Sequence, residues 1–168
     1  MTGHSSRVLI SLGSNVGDRV SSLRAAVKAL QAFGQIRSVS PVYETAPVGE
    51  LNQPAFLNAA VEIETALEPL ELLNAVKSIE NALGRTPRTR WGPREIDIDL
   101  VLWGERTFRS ETLTLPHPEF RNRCFVLAPL ADIAPDARDP ETGLRIVELL
   151  AREDAQGQVK KTDIMLSP

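Results

Sequence analysis

Cysteine is almost absent: Cys124 stands alone in 168 residues. No internal disulfide can form, and no zinc site can be built from cysteines. Histidine occurs twice, too rarely for the common transition-metal sites, which draw on imidazole and thiolate. No apolar run approaches the ~20 residues that cross a bilayer. The opening MTGHSSR has no apolar stretch of the kind a secretory signal needs. Nor is positive charge in excess. A net charge of −3 argues against a general binder of nucleic acid or of an anionic membrane surface. There is no internal repeat and no low-complexity tract. What remains is ordinary: 42% hydrophobic and 24% charged residues, as in globular domains. The length suits one domain on a scale of roughly 100–200 residues each. A single domain over 1–168, cytoplasmic, with loose termini at 1–6 and about 153–168, is the expectation.

Periodicity supplies the elements. Residues 7–12 (RVLISL) predict a short buried strand, closed by the turn GSNVGD. Asp18 suits the cap of a helix over 19–33, in which Val20, Leu23, Val27 and Leu30 share one face. Residues 36–44 alternate as a strand, with Pro41 demanding an edge or a bulge. A loop rich in proline and glycine spans 45–54. Residues 55–65 predict another strand, 69–83 a helix begun by Pro69, and 95–103 a strand with a short hairpin partner near Thr107-Phe108. Helices are expected from about Asn122 to Ile133 and from Ile146 to Arg152, and the last residues read as a polar tail. The first hundred residues thus run β-α-β-β-α-β. That order predicts an α+β, ferredoxin-like core with a mostly antiparallel sheet.

The chemistry concentrates in Arg90-Trp91-Gly92-Pro93-Arg94-Glu95-Ile96-Asp97-Ile98-Asp99. On a strand, alternate residues share a face, so Asp97 and Asp99 lie side by side with Cα atoms about 6.5–7 Å apart. Ile96, Ile98 and Leu100 then face the core. Adjacent carboxylates repel unless a cation neutralises them. Hard oxygen donors without histidine or cysteine favour Mg²⁺, completed by phosphate and water. Such a pair can serve two ions, a recurring device in phosphoryl transfer. The plain alternative is a solvated acidic strand face. Arg85, Arg88, Arg90 and Arg94 precede the pair, and guanidinium forks match phosphate oxygens; a solvated basic loop is the competing reading. His117, between Pro116 and Pro118, with Arg121 and Arg123 following, suggests a second phosphate-contacting segment, although a lone loop histidine is commonly just surface. GSNVGD lacks the GK[ST] ending of a Walker A loop. Asn58 is a polar residue on a strand that needs partners. Trp91, among arginines, suits stacking on a ligand. Cys124, Trp103 and Phe33 read as core.

The motifs also occur in a recognisable series. They are L-G-S-N-x-G-D-R at 12–19, Y-E-T-x-P at 43–47, Q-P-x-F-L-N-A-A at 53–60 and I-E-x-x-L-G-R at 79–85. R-W-G-P-R-x-I-D-I-D at 90–99, L-P-H-P at 115–118 and N-R-x-F-V-L-x-P-L at 122–130 follow. From about Val8 to Ile133 the chain resembles the 6-hydroxymethyl-7,8-dihydropterin pyrophosphokinase (HPPK) family of folate biosynthesis. The resemblance implies a three-layer α/β/α elaboration of the ferredoxin-like core. It implies transfer of a diphosphate from ATP to the pterin's hydroxymethyl oxygen, with AMP released. Asp97 and Asp99 would hold two Mg²⁺ ions. Arg85 and Arg94 would contact the triphosphate and steady the transition state. Glu80, Arg88, Trp91, Ile98, His117 and Arg123 would complete the ATP site. Thr45, Pro47 and Val48 would line the pterin pocket, chiefly with backbone groups. Asn58 would read the ring's hydrogen-bonding edge, and Phe56 and Phe125 would sandwich it. One departure stands out: many members carry an arginine two residues after the loop's first, where this chain has Pro87.

The expected partners are small molecules, with no nucleic acid, no membrane and no obligate protein partner. Two other readings share these residues. One is a different Mg²⁺-dependent transferase on the same scaffold, releasing pyrophosphate. The other is a non-catalytic nucleotide-binding module, which the acidic strand and net charge disfavour. Arg94→Ala is expected to lower turnover about 10²-fold or more, the usual size of one electrostatic contact to a transition state. A steady-state assay showing a loss under about threefold would contradict that role.

Overall fold

The computed structural model describes residues 5–45, 55–83, 96–153 and 159–166. Strand β1 (Ser6–Ser14) is central, and its residues from Val8 onward are buried. That continuous burial is what an apolar run covered on both faces produces. Asp18 caps helix α1 (Arg19–Leu30) as expected, its Oδ1 accepting the Ser21 N–H at 3.1 Å. The helix tightens into a 3₁₀ turn over Gln31–Phe33. Gly34 follows because the chain passes hard against the next sheet strand: a Cβ there would lie 2.4 Å from the Glu64 carbonyl oxygen.

The strand expected over 36–44 is two strands, β2 (Gln35–Val39) and β3 (Pro41–Thr45). Ser40 makes the break. Its N–H donates to the Ala60 carbonyl, while its hydroxyl replaces a backbone acceptor for the Ala60 N–H at 2.8 Å. Pro41, with no N–H to give, starts the second piece. Both pieces pair with β4 (Phe56–Thr65). Helix α2 (Pro69–Ala82) and strand β5 (Asp97–Trp103) follow. The six-stranded sheet runs β5-β1-β4-β3-β8, with β2 also on β4, and every pairing is antiparallel. This is the ferredoxin-like order expected from β-α-β-β-α-β.

Each sheet face carries a core. Val8, Ile10, Leu12, Val61, Ile63, Ile98 and Leu100 pack under α1 and α2. Leu9, Ala60, Val101, Leu102 and Phe120 pack with α3 (Cys124–Ile133) and α4 (Ile146–Ala151). The result is the three-layer α/β/α arrangement. Among the described residues, no helix is long and apolar enough to cross a membrane. Cys124, Trp103 and Phe33 belong to the interior as read, the first two buried and Phe33 packed at the margin of the α1/α2 core.

Three local expectations are corrected. The hairpin after β5 returns onto it through a single bridge, Arg106 with Trp103. Strands β6 (Phe108–Arg109) and β7 (Thr114–Leu115) pair with each other instead. Residues 159–165, expected within a loose tail, form β8 (Val159–Met165), which covers the outer edge of β3. Backbone hydrogen bonds hold it there, so its polar, half-exposed side chains carried little signal. Arg121, grouped by sequence with phosphate-contacting cations, is committed elsewhere. Its guanidinium bonds both oxygens of Asp139, which is fully buried, and reaches Glu141.

Burial alone would push the Asp139 carboxyl up. The hydrogen bonds from Arg121, Thr142 and the Glu141 N–H outweigh it and hold the pKa at about 2, below the ordinary 3.8. Because the folded value is depressed, the interaction contributes fully above the unfolded pKa and is lost as pH falls through the folded one. Asp139→Ala is therefore expected to cost about 2–3 kcal/mol at pH 7, the low end for breaking a buried pair whose cation keeps another partner. Urea unfolding checks this, and the gap between variant and parent should close between about pH 4 and pH 2.

Candidate functional site

The strand register builds the site. Across the sheet, Tyr43 of β3 lies opposite Asn58 of β4, Asn58 opposite Gly13 of β1, and Gly13 opposite Asp97 of β5. Directly opposed residues share a face, here the face under α3. One step along, Ser11 lies opposite Asp99. Asp97 and Asp99 thus stand side by side and half-buried, while Ile96, Ile98 and Leu100 enter the α1/α2 core. Strands lie about 4.8 Å apart, so the Cα atoms of Asn58 and Asp97 are about 10 Å apart, with Gly13 between.

Glycine matters at that point. A Cβ on Gly13 would come within 3.0 Å of Asn58 Nδ2. Its absence leaves the amide room and keeps the surface clear between amide and carboxylate. Asn58 is 4% exposed, and its orientation is set by Thr45, whose hydroxyl donates to Asn58 Oδ1 at 2.9 Å. The amide NH₂ is therefore the group on the Gly13 side. The sequence implied a backbone role for Thr45; the structure adds this side-chain one. Phe56 lies opposite Thr45 on the same face, half-buried. Phe125 is half-buried on the first turn of α3, which packs on β3 and β4.

A bulge brings in the second segment. Leu9 lies opposite Leu102 but Ile10 opposite Leu100, so Val101 is an extra residue in β5. Val101 and Leu102 consequently face the same side, both in the α3/α4 core. The Val101 carbonyl takes the His117 N–H at 2.9 Å, after a cis Leu115-Pro116 bond. His117 is thereby held beside Asp99 and Arg123. Burial pushes its pKa down, Asp99 pulls it up, and Arg123 lowers it further; the net shift is downward from 6.5. The imidazole is neutral at pH 7. Its Nδ1 accepts the Glu119 N–H at 3.0 Å, which leaves Nε2 to carry the proton. The Arg123 guanidinium lies over the Phe125 ring, 5.8 Å from its centroid.

Tyr43, at the end of the row, closes the face against α3 and β8. Its hydroxyl donates to Asp132 Oδ2, and Lys161 reaches Asp132 Oδ1 at 3.2 Å. Burial first, then the Asp132 carboxylate, push the phenol pKa well up.

Two residues expected at the ATP site are buried. Ile98 is 1% exposed and its side chain lies in the α1/α2 core, because strand alternation turns it away from the face of the aspartates. Glu80 is 2% exposed on the inner side of α2. Its Oε2 accepts the Ile98 N–H at 2.8 Å, so this carboxylate is directed at the strand that carries the aspartates. Pro47, Val48, Arg85, Arg88, Trp91 and Arg94 lie outside the described residues. A separate cleft of about 280 Å³, lined by Arg7, Glu62, Glu105 and Arg138 among others, sits at the opposite end of β1 and belongs to none of this.

Among the described residues, no group of three or more histidine, cysteine, aspartate or glutamate side chains gathers for a metal. Two carboxylates without softer donors fit a cation that completes its shell with phosphate and water. The roles of Gly13 and of the Val101 bulge escaped sequence reading. The glycine sat inside a turn motif, and a bulge leaves no mark in an apolar run.

Sheet and carboxylate pair together suit an enzyme that handles phosphorylated substrates. Comparison with known proteins narrows it. The profile of 7,8-dihydro-6-hydroxymethylpterin-pyrophosphokinase (HPPK) matches residues 9–135, and the chain belongs to that family. It is 47% identical over 146 residues to the 2-amino-4-hydroxy-6-hydroxymethyldihydropteridine pyrophosphokinase of Bacillus subtilis, covering 82% of this chain and 87% of that one. The Methylorubrum extorquens protein of the same name is 47% identical over 153 residues, covering 90% and 96%. A Plasmodium falciparum HPPK-DHPS crystallised with pteroate superposes with a TM-score of 0.76 at 16% identity. That match covers 95% of this chain and 47% of the other, so the chain spans about half of that protein, and the likeness concerns the fold. The family's enzymes act in folate biosynthesis with ATP as co-substrate.

Proposed function

We propose that this chain transfers a diphosphate from ATP to the hydroxymethyl oxygen of 6-hydroxymethyl-7,8-dihydropterin, in the cytoplasm and with small molecules as its partners. The hydroxymethyl oxygen bonds to the β-phosphorus, the bond from that phosphorus to the oxygen bridging it to the α-phosphorus breaks, and AMP leaves. The row Asn58–Gly13–Asp97 carries the reading. Its end residues, an amide and a carboxylate, stand on one face with Cα atoms about 10 Å apart across a bare glycine. A flat bicyclic ring with a one-carbon arm spans that gap.

The residues divide the work. Asn58, aimed by Thr45, hydrogen-bonds the ring's edge, and Phe56 and Phe125 take its faces; Pro47 and Val48 finish the pocket. Asp97 and Asp99 would hold two Mg²⁺ ions, which when bound supply neutralisation of the transferring phosphates. Neutral His117, through Nε2–H, and Arg123 bond phosphate oxygens beside Asp99. Arg85, Arg88 and Arg94 add cations from the loop, and Trp91 stacks on the nucleotide. Such transfer asks for positioning and charge stabilisation more than for covalent chemistry.

Purified protein with ATP, Mg²⁺ and the pterin is expected to release AMP, detected by chromatography, only when the pterin is present. ADP would mean single-phosphoryl transfer and overturn the assignment. Asp97→Asn should lower that turnover about 10²-fold or more with the fold retained by circular dichroism. Thr45→Val removes the hydroxyl that aims Asn58. It should weaken pterin binding about tenfold, one hydrogen bond's worth, in a fluorescence titration while kcat changes little.

A further inference from the structure

We propose that Glu80 is the positioning residue of the carboxylate pair: it fixes the Asp97–Ile98 peptide, at the residue between the two aspartates, and so sets how tightly that pair takes a divalent cation. The proposal rests on the reading of Asp97 and Asp99 as the cation-holding pair.

Among the described residues, strand β5 is an edge of the sheet, with β1 on one side only. An edge strand presents alternate N–H groups to no ladder partner. β5 also begins at Asp97, so the carboxylate pair occupies the strand end, where pairing is weakest. Like charges on neighbouring positions of one face favour splaying or twisting of that end. Glu80 opposes this. It is the one acidic residue buried on the inner face of α2, alongside Leu72, Val76 and Ile79. Its Oε2 takes the Ile98 N–H at 2.8 Å, and its Oε1 lies 3.4 Å from Lys77 Nζ, a half-exposed cation. A buried carboxylate is costly unless satisfied. An ionised acceptor makes a stronger bond to N–H than a neutral one. Fixing the Asp97–Ile98 peptide fixes the backbone at Asp97 and at Ile98, the residue that joins it to Asp99, and so limits how far the two carboxylates can splay. The Ile98 side chain, locked in the α1/α2 core, anchors the same residue from below.

Two variants separate the acceptor from its charge and bulk. Glu80→Gln keeps an oxygen acceptor, and Glu80→Met keeps the volume and removes the acceptor. Mn²⁺, titrated by electron paramagnetic resonance with a non-hydrolysable ATP analogue present, reads the pair without turnover. Amide hydrogen exchange at Ile98 reads the clamp. Affinity for Mn²⁺ is expected to fall about tenfold in Glu80→Met and under about threefold in Glu80→Gln, in step with the loss of Ile98 protection. Under turnover the half-activating Mg²⁺ concentration should rise in the same order. Melting temperature alone, moved without a change in Mn²⁺ affinity, would reduce Glu80 to a structural residue and overturn the proposal. So would equal losses in Glu80→Gln and Glu80→Met, or weaker binding of the metal-free nucleotide, which would mean direct contact with ATP. If Glu80→Met fails to fold, parent against Glu80→Gln still decides: exchange at Ile98 that speeds up with no change in Mn²⁺ affinity overturns it. Absence of AMP formation by the parent protein would sink the proposed reaction but leave the Mn²⁺ and exchange results to stand separately.

Discussion

Two carboxylates one residue apart on an edge strand repel each other, and the rest of the structure is arranged around keeping them there. Aspartate is a poor strand former, and among the described residues β5 has one neighbouring strand to hold it. Its alternation commits Ile96, Ile98 and Leu100 to one core, so the aspartates have no choice of face. Glu80 holds the backbone between them from α2. The bulge at Val101 turns a carbonyl to His117 and brings its imidazole beside Asp99. Without those supports an acidic strand end would be a solvated fray, not a site.

The second half of the site depends on β1 being central. A strand paired on both sides can relay register from β4 to β5 without slippage, because a one-residue shift would turn Val8, Ile10 and Leu12 out of the core. Asn58 and Asp97 owe their alignment to that strand, through Gly13. The same face extends to Tyr43, where Asp132 and Lys161 tie α3 and β8 to the sheet. The helix that carries Phe125 is therefore anchored at its far end by β8, the last strand.

Several features were plain in the sequence. Asp18 announced the start of α1, the 3.6-residue period announced α1 and α2, and the alternation of 96–100 put the two aspartates on one face and the isoleucines on the other. Others were misread for physical reasons. Val159–Met165 joins the sheet through its backbone, so side chains such as Lys160 and Asp163 looked like a tail. Arg121 looked like its neighbour Arg123, but the turn over 136–145 supplies it with Asp139. Nor did the motif around Glu80 show that its carboxylate accepts the Ile98 N–H.

The sequence by itself determined the chemistry available: hard oxygen donors, arginines, a lone histidine between prolines, and no thiol or imidazole cluster. It also determined the element order, because hydrophobic period and turn residues are local signals. Tertiary structure alone decided which groups meet. That Asn58 faces Asp97 across Gly13 follows from strand register, and that His117 reaches Asp99 follows from a bulge. That Glu80 reaches Ile98 follows from how α2 packs. Each joins residues from different elements, and the energy that pairs them belongs to the folded sheet as a whole, so no local window of sequence contains it.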